Sequence, residues 1–186
     1  MPSAAIDIRT ARLQLRAPRA SDAERLHQLF ANWEVIRWLD SPPWPYRLEH
    51  AHEFIAARQQ PSRNCVTAAI VLDGGLIGMM DAALKGRSAM QREAGYHIGY
   101  WIGEPFWRRG YMSEAARGFL AHLFSTIPDG AMYSGAFSDN LASLRVQEKL
   151  GFERCGEAMS FSNPHQKEMP HSHTVLTRVR FAAAAG

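Results

Sequence analysis

The chain has 186 residues, 46% hydrophobic and 21% charged, the balance of a soluble globular protein with one sizeable core. A formal net charge of +3 suits an anionic ligand, yet no clustered basic stripe marks a nucleic-acid binder. The opening MPSAAIDIRTARLQLR holds no apolar run for a signal peptide or membrane anchor, so a cytoplasmic protein with neither a nucleic-acid nor a membrane partner is expected.

Residues 12–16 alternate Arg, Leu, Gln, Leu, Arg, the period of a half-buried strand. Ser21 or Asp22 can then cap a helix that buries Leu26, Leu29 and Phe30. In the stretch 33–46, Pro42, Pro43 and Pro45 forbid a continuous helix, and its aromatics either line a pocket or cover a core edge. A second helix is expected over 48–59, stopped by Pro61. Asp73-Gly74-Gly75 between apolar runs at 66–72 and 76–84 predicts a β-hairpin, with Met79 and Met80 in the core. Residues 96–102 form the next strand, where Gly99 signals a bulge or a close backbone approach. Residues 133–137 read as a strand, Asp139-Asn140 caps a helix running to Leu150, Gly151 ends it, and Phe152 folds back on it. The tail 173–181 reads as a last strand, with 182–186 frayed. Hairpins demand antiparallel pairing and the strand-helix-strand segments favour parallel neighbours, which together predict a mixed α/β sheet in one domain over 1–186.

Between the strand and the helix after it lies Trp107-Arg108-Arg109-Gly110-Tyr111-Met112-Ser113-Glu114. Free N–H groups at a helix start, a glycine that allows close approach and two arginines suit a diphosphate. The same residues also fit an ordinary helix start with two solvated arginines. Neither the Walker pattern nor G-x-G-x-x-G is present, which turns the reading away from ATP and NAD. Cys65 and Cys155 lack C-x-x-C spacing and a local activating partner, so both read as packing residues rather than disulfide, metal or acyl-transfer groups. His165, His171 and His173 match no zinc spacing, and Pro164 and Pro170 place them in a loop, so no metal is expected.

GYHIGYWIGEPFWRRGYMSEAARGFL followed by SDNLASLRVQEKLGFERCG resembles the GNAT acetyltransferase superfamily, in particular its ribosomal-protein alanine acetyltransferase (RimJ/RimL-like) branch. TARLQLRAPRASDAERLHQLF resembles that branch's first strand and helix, so the likeness runs from about residue 10 to 181. It implies the GNAT fold, a mostly antiparallel twisted sheet with one parallel splayed pair between helices. It also implies acetyl-CoA as cosubstrate, its pyrophosphate on the backbone amides of residues 108–113 (Arg108, Arg109, Gly110, Tyr111, Met112, Ser113) and its pantetheine arm along the strand at 98–102, including Trp101 and Ile102. Asn140 would bond the pantetheine region and Ser143 would lie near the thioester sulfur. Met112 departs from the Gly or Ala usual at its place in the loop pattern, and Trp107 from the usual Gln or Arg.

The implied reaction is direct transfer of the acetyl group to a primary amine in a ternary complex, with a protein N-terminus as the leading acceptor. A small-molecule amine and a non-catalytic acyl-CoA sensor are the alternatives, and the assembly is a monomer or homodimer. Where relatives often carry Glu, this chain has His97, the expected base, since a free imidazole titrates near pH ~6.5. Glu93 is the alternative base, and Ser143 the expected acid toward the thiolate.

Overall fold

The computed structural model describes residues 6–60, 62, 64–85, 95–127 and 130–184. Eight strands form one sheet in the order β1-β2-β3-β4-β5-β6-β8-β7. These are β1 (Asp7–Arg9), β2 (Gln14–Arg16), β3 (Cys65–Leu72), β4 (Gly75–Lys85), β5 (Gly95–Ile102), β6 (Met132–Phe137), β7 (Glu153–Ser162) and β8 (Lys167–Leu176). The helices are α1 (Ala23–Phe30), α2 (Trp33–Ile36), α3 (Leu48–Gln59), α4 (Tyr111–Thr126), α5 (Leu141–Lys149) and α6 (Arg178–Ala183). Every pairing is antiparallel except β5 with β6, so the sheet is the mixed one expected.

Alternation along the central strands assigns side chains to two cores. In β3, Ala68 and Ile70 join α4's buried face (Ala115, Phe119, Leu120, Leu123), while Ala69 and Val71 face α1 and α3 through Leu26, Phe30 and Ile55. Met79 and Met80 divide the same way. Burying both faces of one sheet is what makes these strands nearly continuous apolar runs.

Several expectations need correction. The first strand is shorter than residues 12–16, because Thr10 closes a turn on Leu13 (N to O, 2.9 Å) and returns the chain to β1. Asp22 occupies the N-cap position of α1 without capping it; its carboxylate instead takes two hydrogen bonds from Arg16, at 2.7 and 2.8 Å. Within 33–46, Asn32 caps a short helix, α2, accepting from Glu34 N at 2.9 Å. Of the two readings at Gly99 the bulge is absent, since β4 and β5 stay in register throughout; the register shifts fall in β3 against β4, between Ile70 and Val71, and in β7 against β8, between Arg154 and Gly156. His171 and His173 sit in strand β8 rather than a loop, and only His165 is in the turn before it. The tail bends into α6 because Thr177 accepts from Arg180 N and Phe181 packs on Phe124, 5.3 Å between ring centres. Cys155 is exposed on the edge strand β7 instead of packed, and Cys65 is half-buried.

Candidate active site

β5 and β6 pair through only two positions, Tyr96 with Met132 and His97 with Tyr133. Beyond them Ser134 Oγ donates to the Ile98 carbonyl at 2.9 Å, and β6 follows β8 through Phe137 instead. The two strands therefore part just past Ile98, and a cleft of about 1670 Å³ passes between them to both faces of the sheet. Residues from β5 (His97, Trp101, Ile102), from the turn before α4 (Arg108, Gly110) and from the start of α5 (Asn140, Ser143) all border it.

The turn before α4 is held from outside. Gly110 adopts a left-handed conformation (φ 78°) that leads the chain into the helix, and Arg108 (φ 60°) does so without glycine's freedom. Arg12 donates Nη1–H to the Arg109 carbonyl at 3.1 Å, pairs with Glu114 at 2.7 Å, and lies 4.5 Å over the Tyr111 ring. Trp107 donates its indole N–H to the Ile102 carbonyl at 2.8 Å. Burial pushes the Glu114 carboxyl up, but the Thr10 hydroxyl and Arg12 outweigh it and hold the group below the usual carboxylate range.

Inside α4 the first hydrogen bond runs from Glu114 N to Gly110 O, 3.1 Å. The N–H groups of Tyr111, Met112 and Ser113 precede it and have no carbonyl within the helix, so with the helix dipole they present positive charge to the cleft. Met112, Tyr111 and Ser113 border the cleft, with the Met112 side chain buried in the core; Arg109 is not among the residues that border it. This donor set, with Arg108 beside it, fits a diphosphate.

At the other wall, Asn140 caps α5 through Oδ1, which accepts from Ser143 N at 3.1 Å. Ser143 Oγ lies 2.9 Å from the Tyr100 hydroxyl and receives Gln147 Nε2 at 3.4 Å. The orientation of Gln147 is fixed from both ends, by its donation to the Gly135 carbonyl (3.2 Å) and by acceptance from Thr174 Oγ1 (2.7 Å). Burial raises the Tyr100 phenol, so it carries its proton at neutral pH.

On the opposite face, toward α3, the cleft is bordered by Asp81, Lys85, His97, His171 and His173. His97 is half-buried and stacked on Tyr133, with 6.4 Å between ring centres. Burial first, then the charge of Lys85 and the two other histidines, push it down to about 4, so the ring is neutral at physiological pH. Glu93, the alternative base, lies outside the described residues. Among the described residues no group of three His, Cys, Asp or Glu side chains is placed to hold a metal ion.

Sequence reasoning missed Arg12, Tyr100, Gln147 and Asp81. Gln147 follows Ser143 by four residues on a capped helix, a spacing that could have joined them. A lone carboxylate in the apolar run of β4 was a signal too. Arg12 and Tyr100 act through partners some forty to a hundred residues away, which spacing does not reveal.

Residues 12–153 match the family model described as Acetyltransferase (GNAT) domain. The Bacillus subtilis (strain 168) protein named "Putative ribosomal N-acetyltransferase YdaF" is 28% identical over 151 residues, spanning 78% of this chain and 80% of that protein. The fold is similar to that of RimL, a ribosomal alpha-N-protein acetyltransferase, with a TM-score of 0.75 at 20% identity over 92% of this chain and 94% of that one. Mycobacterium smegmatis RimJ, solved in complex with CoA-disulfide, gives 0.77 at 17% identity over 99% of this chain and 95% of its own. The chain belongs to the GNAT acetyltransferase family and is an N-acetyltransferase.

Proposed function

We propose that the protein transfers the acetyl group of acetyl-CoA directly to a primary amine, with a protein N-terminus as the acceptor. The parting of β5 and β6 carries this reading: it opens one passage between a diphosphate-binding turn and a titratable chamber on the far face. The cosubstrate would rest its diphosphate on the N–H groups of Tyr111, Met112 and Ser113 with Arg108 alongside, and its pantetheine arm between β5 and α5, within reach of the Asn140 amide. RimL and RimJ, each solved with a form of CoA, and the name of the Bacillus subtilis relative support the choice of cosubstrate and acceptor.

Ser143 would give the departing thiolate a proton. A serine hydroxyl is a weak acid on its own, but the Tyr100 phenol, ordinarily near pKa 10, can replace that proton across 2.9 Å. His97 would border the acceptor as a neutral ring; at a pKa of about 4 it has little affinity for a proton held by an ammonium. Membership of all eight strands, from Asp7 to Leu176, in one sheet supports one domain, and two free cysteines, one exposed, suit a reducing cytoplasm. No helix among the described residues is long and apolar enough to cross a membrane.

Thiol release from acetyl-CoA, measured over a panel of N-terminal peptides, polyamines, amino acids and aminoglycosides, tests the proposal. Highest turnover is expected with an N-terminal peptide. Turnover confined to small amines would overturn the acceptor assignment.

A further inference from the structure

Asp81 breaks the apolar run of β4 on the face turned toward α3, and it pairs in register with Gly99 of β5. Its Oδ1 lies 2.9 Å from the point that a Cβ on Gly99 would occupy, so the carboxyl reaches across bare backbone where β5 and β6 have just parted. Any side chain at position 99 would displace it. Gly99 is exposed and both residues border the cleft, which brings this carboxylate to the acceptor side of the passage. Among the described residues the cation paired with it is Arg58, whose Nη2 stands 3.9 Å away, beyond hydrogen-bond distance, and leaves the oxygens room for another donor.

We propose that the Asp81 carboxylate is a catalytic residue of the acetyl transfer: it binds the acceptor ammonium and takes the proton that the nitrogen must lose before it attacks. The assignment rests on the reading of the cleft as an acetyl-CoA and amine site. The ammonium gives one proton to the carboxylate, and the freed electron pair forms the C–N bond at the thioester carbonyl. The C–S bond then breaks, its electrons stay on sulfur, and the thiolate takes a proton from the Ser143 and Tyr100 pair. The nitrogen loses its second proton to water, water restores the pair, and Asp81 returns its proton to solvent, so each turnover of an ammonium releases one proton.

Burial pushes the Asp81 carboxyl above the usual carboxylate range, against the opposing pull of Arg58, Lys85 and the Gly99 N–H. That direction improves a carboxylate as a base at neutral pH, whereas the same burial weakens His97. Among the described residues, the charged and titratable groups that share this side of the cleft are Arg58, Glu53 and His50 from α3, Glu34 from α2, Asp40 from the loop after it, Lys85 on β4, His97 on β5, and His171 and His173 on β8.

The test compares wild type, Asp81→Asn and Asp81→Glu, using whichever primary amine of the panel turns over fastest. A failure of the N-terminus reading therefore changes the amine in the assay and not the comparison. Asp81→Asn is expected to lower kcat/KM about 100-fold or more and to remove the acid limb of its pH profile. CoA affinity by calorimetry should stay within about twofold, and Asp81→Glu should recover part of the rate. Thermal melting at pH 7 should rise in Asp81→Asn, because a carboxyl with a raised folded pKa destabilises the fold when ionised. Activity within about threefold of wild type with the acid limb intact would overturn the assignment. A lowered melting temperature together with weakened CoA binding would also overturn it, since both would mark a structural role.

Discussion

The Tyr100 phenol meets α5 at two atoms of one residue, Ser143 Oγ at 2.9 Å and the Ser143 carbonyl at 3.2 Å. With Gln147 Nε2 also donating to Ser143 Oγ, the serine hydroxyl is ordered by two neighbours, and Gln147 is itself held by Gly135 and Thr174. Tyr100→Phe should lower kcat on the order of 10-fold while leaving CoA affinity intact, read by steady-state thiol release beside calorimetry. A fall in affinity with kcat unchanged would assign the phenol to packing alone. At this scale the sequence was half legible. Asn140 and Ser143 could be placed together because helix geometry fixes residues three apart on one face. The partner on β5 could not, because that contact depends on how α5 lies over the sheet.

Among the elements, β2 and α1 are joined by the buried Arg16–Asp22 pair, both residues under a tenth exposed. Burial pushes the Asp22 carboxyl up, but the Arg16 guanidinium and the Arg19 N–H outweigh it and hold the group below the usual range. A folded pKa below the unfolded value, about 3.9, means that the pair's contribution is present above that pH and lost as the pH falls through the folded value. Asp22→Asn leaves the Arg16 charge buried without its partner, and urea unfolding at pH 7 should show a loss of about 3 kcal/mol. Its stability should also fall less steeply than that of wild type below about pH 4. The same residue shows why local rules misassign: Asp before a helix satisfies the capping pattern, yet a buried arginine on the preceding strand claims the carboxylate first. Likewise the β-branched residues of the tail suggested a strand through Phe181, whereas the Thr177 cap and the Phe181–Phe124 contact select α6.

Over the whole molecule, two separately packed cores hold a sheet that is incomplete at one seam. The α4 side supplies fixed positive charge from Gly110 to Ser113, and the α3 side supplies the groups that can exchange protons. Its fold class was legible because hairpin turns, strand-loop-helix order and the two quoted segments all point the same way. The early parting of β5 from β6 was not legible from periodicity, since both strands continue with ordinary patterns past Ile98 and Ser134; the resemblance alone implied it. Nor could spacing show that Arg12, in the turn between β1 and β2, pins the turn before α4.

All of this depends on the main-chain donors at the start of α4 gripping the diphosphate of CoA. Calorimetric titration of CoA into wild type and Gly110→Trp tests it most directly, with thermal melting to establish that both are folded. The account predicts measurable CoA binding by wild type and a loss of about 100-fold or more in the variant, because an indole at a left-handed position fills the approach to those N–H groups. Equal affinity in two folded proteins would contradict it.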